Sequence, residues 1–256
     1  MNFKSKLLLA LLATSSAAFA QTAPAAPEST LGYNVGVVTE YRYRGLAQTK
    51  GDPALQGGVD YTDASGFYVG AWGSTIKWIK DSAGVAGQTK GPIELDLYGG
   101  YKFEAAGLAY DVGFLRYQYQ GNTLAKTTAA TLVNANTNEF YGAATYGVTT
   151  LKYSQSTSDL FGAYNSKGST YWDLSATYDL GDGYSLVPHA GHQKVKNNTT
   201  SYTDIALTLN KDMGDGLSAS LSAISTNGKG KSDFASYLTS YDVTKNTVVL
   251  GVKYSF

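Results

Sequence analysis

The chain has 256 residues, no cysteine, and 20 basic against 20 acidic side chains, with 16% of its residues charged. This length suits one large all-β domain or two smaller ones, and a chain without cysteine holds no disulfide. The balanced charge excludes the strongly basic class of protein, so neither nucleic acid nor an anionic membrane surface is expected as a partner.

The first twenty residues are predicted to be a secretory signal peptide. Lys4 and Lys6 precede an apolar run, and Ala18-Phe19-Ala20 has the form of an A-x-A cleavage site. Residues 21–30, "QTAPAAPEST", are predicted to be a flexible lead-in. The remaining residues, 31–256, contain no run of the roughly 18 to 20 apolar residues that a membrane helix needs.

From Leu31 onward the chain alternates between apolar and polar residues with a period of two, which indicates strands with two different faces. In the first strand, the odd positions from Leu31 to Tyr43 form the apolar face, and Glu40, Arg42 and Arg44 lie on the polar face. The pattern predicts twelve strands, near residues 31–44, 53–63, 66–78, 92–104, 107–119, 138–147, 149–157, 168–180, 183–194, 202–213, 216–226 and 246–256.

The connections between these strands alternate strictly between tight and long. The tight ones lie near residues 63–66, 104–107, 147–149, 180–183 and 213–216, and the long ones cover residues 45–52, 79–91, 121–137, 158–167, 195–201 and 225–245. This arrangement is typical of outer-membrane barrels, which have short periplasmic turns and long outer loops. It predicts an all-β, up-and-down antiparallel transmembrane barrel in the cell outer membrane, surrounded by lipid, with both termini in the periplasm.

The last strand continues the alternation to the final residue, Phe256. A closed barrel needs its last strand to pair with the first, because lipid cannot satisfy an open sheet edge. The terminal strand, with Tyr254 and Phe256, also resembles the C-terminal signal that the barrel assembly machinery reads in outer-membrane proteins. We therefore expect Tyr254 and Phe256 to act in assembly.

Two segments leave questions open. Pro188 cannot donate to a sheet ladder, so a bulge is expected in the strand near residues 183–194. In the strand near residues 66–78, either Phe67 and Val69 or Tyr68 and Trp72 face lipid, because both sides carry aromatic residues.

Three motifs resemble a known family. They are R-G-x-x-Q-T at residues 44–49, P-A-x-Q-G-G-x-D-Y at residues 53–61 and G-F-Y-x-G-x-W-x-S at residues 66–74. With "IELDLYGGYKF", "YDVGFLRYQYQG", "LKYSQSTSDLFG" and "LVPHAGHQKV", the mature chain resembles the TorF family of proposed proteobacterial porins. The resemblance implies an outer-membrane barrel and brings no catalytic or ligand residues. The motif residues Arg44, Gln48 and Gln56 could line the pore mouth, or the glycine-rich stretch could only set a bend and the barrel register.

No motif indicates catalysis or a cofactor. The two histidines, His189 and His192, are three residues apart on a predicted strand, which sends their rings to opposite faces unless the expected bulge inverts them. We therefore expect no shared metal site, no cofactor and no enzymatic activity.

The polar face supplies the candidate site. The side chains expected to line the pore are Glu40, Arg42, Arg44, Gln56, Asp60, Glu94, Asp96, Lys102, Asp111, Lys152, Asp173 and Asp204. Their acidic excess favours weak cation selectivity, set below an outer rim where Arg42 and Arg44 are expected.

The leading hypothesis is a passive channel, or porin, for small hydrophilic solutes or ions. A barrel whose lumen is packed by its own side chains would instead act through its outer loops as a binding protein or membrane enzyme. A secreted soluble barrel with its apolar face inward is a third alternative. The sequence leaves the oligomeric state open.

Overall fold

The computed structural model describes residues 29–81, 90–126, 132–198, 201–228 and 241–256. The predicted signal peptide and almost all of the lead-in lie outside these residues. The strands are β1 Thr30–Val38, β2 Arg42–Tyr43, β3 Leu46–Ala47, β4 Ala54–Thr62, β5 Phe67–Thr75, β6 Ile93–Ala105, β7 Leu108–Gln120, β8 Thr137–Tyr146, β9 Thr149–Ser156, β10 Thr170–Ala176, β11 Tyr178–Gly181, β12 Tyr184–Lys194, β13 Tyr202–Gly214, β14 Leu217–Thr226 and β15 Thr247–Ser255. A single 3₁₀ turn, Leu124–Lys126, lies in the described part of the third long loop.

The strands form a closed barrel, which confirms the predicted fold class. Each strand pairs antiparallel with its sequence neighbour, and β15 pairs with β1 from Asn34–Ser255 to Val38–Gly251. The strands β10 and β11 together make one staggered wall strand, so twelve strands surround the lumen. Within the described residues no helix is long and apolar enough to cross a membrane.

The two ends of the barrel differ as the connections predict. At one end the connections are short, and in three of them two turn residues both have positive φ: Ala106 (51°) with Gly107 (78°), Asp182 (50°) with Gly183 (76°) and Asp215 (50°) with Gly216 (82°). This is the mirror-image turn that matches the twist of a hairpin. We call this end the turn end, and the opposite end, where the long connections lie, the loop end.

The outward face is apolar and the inward face is polar. Leu31, Val35 and Val37 are about half exposed on the outer surface of β1. On β5, Phe67 and Val69 point outward at 62% and 59% exposure, whereas Tyr68 is buried inside at 9%. On this strand, therefore, Phe67 and Val69 form the outward face. The barrel has apolar residues outside and polar residues inside, the reverse of a soluble protein.

The first strand is shorter than predicted. It ends at Val38, and the chain then turns into the lumen, so Tyr41 and Tyr43 are buried inside at 1% and 6% exposure instead of facing outward. The third predicted strand also ends early, at Thr75. The other strands of the barrel agree with the predicted ranges to within about two residues.

Pro188 produces no bulge, so that prediction was wrong. The pairing of β12 with β13 runs through Pro188–Leu207 without a register shift. On the other side, β10 and β11 keep one register with β12 from Thr170–Lys194 to Asp179–Ser185, and the register shifts only at Gly181, next to the turn. Within that register, the two pairs that need a backbone donor at position 188 are missing. The missing donor therefore interrupts the neighbouring strand at Thr177 and leaves the strand that carries the proline straight.

The loop end contains an apolar core of its own. This core contains Val38 at the end of β1 and Tyr41 and Tyr43 of the first loop. They pack with Ile76, Trp78 and Ile79 of the second loop, with Leu124 and Ala135 of the third, and with Tyr117 and Tyr119 of β7. The rings of Trp78 and Tyr119 meet edge to face at 5.3 Å. Buried aromatic contacts of this kind stabilise the cap beyond the area they bury.

Candidate functional site

The lumen collects the polar residues of the chain. All twelve side chains predicted to line a pore lie on the inner side of the barrel wall or in the loop that enters it. Gln56 donates to the Ser74 hydroxyl at 3.3 Å across β4 and β5. That these residues line a conducting path stays a prediction.

The first long loop, residues 39–53, which we call L1, folds into the lumen as a small hairpin. Its strands β2 and β3 pair through Arg42–Ala47 and Tyr43–Leu46. The base of the hairpin is closed by local bonds, in which the Tyr41 amide donates to the Thr49 hydroxyl at 3.0 Å and the Gln48 amide to the Tyr41 carbonyl at 2.8 Å. Arg42 binds Glu40 at 2.8 Å, so these two predicted pore charges neutralise each other within the loop.

The base of L1 is anchored on the β5–β6 side of the barrel. The Tyr41 hydroxyl donates to Glu94 of β6 at 2.7 Å, and its ring meets Trp72 of β5 at 5.5 Å. The Gln48 carbonyl accepts from the Lys77 and Trp78 amides of the second loop. These contacts combine aromatic packing with buried hydrogen bonds, so the base is firmly held.

The tip of L1 reaches strands on the far side of the lumen. Arg44 binds both carboxylate oxygens of Glu139 on β8, at 3.0 and 2.7 Å, and donates to the Gln193 side-chain oxygen on β12 at 2.9 Å. Its guanidinium also stacks over the rings of Tyr43 and Tyr171, at 4.9 and 4.4 Å. Glu139 and Gln193 lie within three residues of the loop ends of their strands, so Arg44 lies near the loop-end rim, as expected, but it is buried there and not exposed to solvent.

Burial shifts the pKa of three side chains of the hairpin, Tyr41, Tyr43 and Arg44. It raises the pKa of the Tyr41 and Tyr43 hydroxyls well above their usual value, so both remain neutral donors. For Arg44, burial is the largest single effect and lowers the pKa, but the Glu139 carboxylate together with Tyr43 and Tyr117 outweighs it and holds that pKa above its usual value. The tip thus carries a permanent positive charge against the far wall.

Tyrosine–carboxylate pairs line the inner wall below the hairpin. Tyr68 donates to Asp111 at 2.6 Å, and its hydroxyl also contacts that of Tyr141. In the same way, Tyr98 donates to Asp60 at 2.5 Å, and Tyr171 to Asp204 at 3.0 Å. The tyrosines thus donate hydrogen bonds to these inward carboxylates. Without such partners, burying a carboxylate would cost free energy.

A row that contains charges of both signs crosses seven neighbouring wall strands. The cross-strand register aligns Lys102, Asp111, Ala143, Lys152, Asp173, Gly191 and Asp204 in this order. Lys102 and Lys152 lie over the rings of Tyr68 and Tyr141, at 4.9 and 4.2 Å. The row mixes lysines and carboxylates and ends in two carboxylates, Asp173 and Asp204, so it can offer both donors and acceptors to a polar solute.

The two histidines point to opposite faces, as their spacing predicts. His189 lies inside, 3.1 Å from Asp173 and 3.3 Å from the Tyr171 hydroxyl, whereas His192 is exposed outside and contacts Thr203 at 2.9 Å. Across the described residues, no group of three or more acidic, histidine or cysteine side chains is arranged to hold a metal ion.

Sequence reasoning missed Glu139 and Gln193, the two partners of Arg44, and the inward Lys253. A signal for Glu139 was present, because it alternates with the outward Phe140 and shares its face with Tyr141. Gln193 likewise alternates with the outward His192 and Lys194. What the alternation could not indicate is that a loop residue would contact both.

A family model described as "Bacterial protein of unknown function (Gcw_chp)" matches residues 21–256. No curated protein matches the chain. Among solved structures, the chain is similar to the KdgM porin in complex with disordered oligogalacturonate (TM-score 0.53, 9% identity, 89% of this chain and 99% of that one). It is also similar to the NanC porin (0.52, 9%, 89% and 99%) and to the COG4313 outer membrane channel from Pseudomonas putida F1 (0.51, 13%, 92% and 99%). At these identities the likeness concerns the fold.

Proposed function

The chain belongs to the Gcw_chp family of bacterial proteins of unknown function, and we propose that it is a porin-like channel of the outer membrane for small hydrophilic solutes or ions. The observation that carries this proposal is the closed twelve-stranded barrel with apolar residues outside and charged residues inside. Such a surface is stable in lipid, and closure leaves no unpaired strand edge there. The mixed charges of the wall suit hydrated solutes more than apolar ligands.

Two aromatic rims support a membrane location. At the turn end, the outward rings of Tyr33, Tyr254 and Phe256 stack at 5.6 and 5.7 Å, and Phe103 stacks on Tyr110 at 5.1 Å. Towards the loop end, Trp172 packs on Tyr153 at 4.7 Å. Aromatic girdles at both interfaces are typical of outer-membrane barrels. With the predicted signal peptide, they favour export to the outer membrane, with the turn end and both termini in the periplasm.

The proposed partners are those of such a barrel: outer-membrane lipid, the barrel assembly machinery and the transported solutes. Membership of the TorF family stays a proposal that rests on the three sequence motifs. The proposed activity is transport without catalysis.

A second candidate function is supported by the position of L1. Because the hairpin crosses the lumen, a permanently closed barrel could act through its outer loops as a binding protein or enzyme. The two candidates differ in solute flux. Proteoliposomes containing the refolded protein are expected to swell in isosmotic solutions of small sugars or amino acids, and to swell less as solute size increases. A variant lacking residues 42–47 is measured in the same way. If proteoliposomes with the wild type and with this variant both swell no more than empty liposomes, the channel proposal is contradicted.

A further inference from the structure

The tip of L1 is a two-residue turn built to press against the far wall. Arg44 and Gly45 have φ values of 46° and 76°, the left-handed pair of a tight mirror-image turn. A side chain at position 45 would collide with Asp204 of β13 and Thr226 of β14, so only glycine fits there. The Gly45 carbonyl accepts from the Thr226 hydroxyl at 2.9 Å. The tip therefore also contacts β13 and β14 closely, in addition to the contacts of Arg44 with β8 and β12.

The attachment of the tip differs from that of the base. The base packs into the apolar core of the loop end through Tyr41, and next to the tip the Tyr43 ring packs there too, against Tyr117 and Phe161. The tip adds buried polar contacts centred on Arg44, Glu139 and Gln193, which we call the tip clamp. The tip clamp is fully buried, with Arg44 and Glu139 exposed by 5% and 2%. Removing one member of a buried ion pair leaves the other uncompensated, which strongly destabilises the contact.

We propose that the L1 tip is a releasable plug and that Arg44 is the residue that controls passage through the lumen. The anchored base acts as the hinge, and the tip clamp sets the fraction of molecules in which the tip has left the far wall. This inference rests on the proposed channel function, and it adds the site that limits size and ion preference. The released state exposes Glu139 to the solute path, next to Asp96 and Glu94 on the inner wall.

A thiol probe measures release without relying on transport. The chain has no cysteine, and Ala47, buried at 2% beside the tip, can be changed to cysteine with little change in volume. In this background, Arg44→Ala and Glu139→Gln are each expected to raise the maleimide labelling rate by at least about tenfold, equivalent to about 1.4 kcal/mol of docking free energy. The charge swap Arg44→Glu with Glu139→Arg is expected to restore slow labelling.

Arg116→Ala is the matched control, because Arg116 faces outward and bonds Gln118 and Asn138. It is expected to leave labelling slow. Only variants that retain a heat-modifiable barrel are compared, and Glu139→Gln, which keeps the side-chain shape, provides the test if Arg44→Ala does not fold. Unchanged labelling in Glu139→Gln and Arg44→Ala barrels would overturn the plug.

Ion selectivity separates this inference from the channel proposal. Arg44→Ala leaves Glu139 unpaired and is expected to shift the reversal potential in a salt gradient towards cations, whereas Glu139→Gln is expected to shift it towards anions. Faster labelling without any current would support a releasable hairpin and contradict the channel. Current in the wild type with equally slow labelling in all variants would support the channel and contradict the plug.

Discussion

At the scale of single residues, inward glycines make room for tyrosine rings. Gly100 of β6 and Gly113 of β7 are paired side by side, and the rings of Tyr68 and Tyr141 close over them from the two flanking strands. A Cβ at Gly100 would lie 2.5 Å from the Tyr68 hydroxyl, and one at Gly113 would lie 2.5 Å from the Tyr141 ring. The glycines thus keep both rings against the wall, where their hydroxyls meet beside Asp111.

Gly113→Ala is therefore expected to destabilise the barrel by about 1–3 kcal/mol, the usual cost of overpacking a filled interior. Gly142→Ala on β8 is the control, because a Cβ there would find its nearest neighbour at 3.9 Å, an ordinary contact. Reversible urea unfolding in lipid vesicles measures both. Equal losses for the two variants would show that the rings do not depend on the glycine.

The two faces of a strand also differ residue by residue. Leu207 on β13 is 49% exposed on the outer surface, and the next residue, Thr208, faces inward and bonds Ser222 at 2.8 Å. Leu207→Arg is expected to cost about 2–4 kcal/mol, because an arginine near the middle of the membrane loses its hydration. Thr208→Arg, which can reach water in the lumen, should cost less. Unfolding free energies in lipid that are equal, or in the reverse order, would contradict the assignment of the faces.

At the scale of elements, β15 and the residue after it, Phe256, close the barrel against β1. Tyr33 and Phe256 exchange two backbone hydrogen bonds, at 2.9 and 3.0 Å, and their rings stack. Phe256→Ser, or deletion of Phe256, is expected to lower the amount of assembled barrel while synthesis and export continue. Val248→Ser, at the other end of β15, is the control and should have the smaller effect. Wild-type amounts of heat-modifiable protein in the Phe256 variants would refute an assembly role.

Period-two alternation predicted the strands well because each barrel strand separates lipid from the lumen, and this chemical difference is local to the strand. The limits of β1 show where the pattern fails. Tyr41 and Tyr43 continue the alternation of Leu31 to Val37, but their rings enter the lumen and not the lipid. Contacts such as Arg44 with Glu139, which is 95 residues away, decide this path.

At the candidate site, too, alternation predicts which face a residue lies on but not its contacts with residues far away in the sequence. The inward positions could be predicted from alternation, so most charged residues of the wall were predicted, although Glu139 and Lys253 were missed. The effect of Pro188 could not, because the missing bond falls on the partner strand at Thr177 and depends on the direction of one backbone N–H. The role of Arg44 likewise depends on three wall strands that meet only in the closed barrel.

At the scale of the whole molecule, a lipid-compatible barrel encloses a charged lumen, and one hairpin crosses that lumen. In the proposed channel, the barrel and its aromatic rims would suit the membrane, the wall charges would suit hydrophilic solutes, and L1 would form the constriction. A wild type with the tip docked most of the time should conduct in small or brief steps. Weakening the tip clamp should increase the conductance or the open time.

Single-channel recording of the refolded protein in planar lipid bilayers, beside Arg44→Ala and the Arg116→Ala control, tests the central claim most directly. We predict discrete current steps in the wild type and the control, and larger or longer steps in Arg44→Ala. Bilayers that contain heat-modifiable protein of all three kinds but show no steps would contradict the account and favour the closed barrel that acts through its loops.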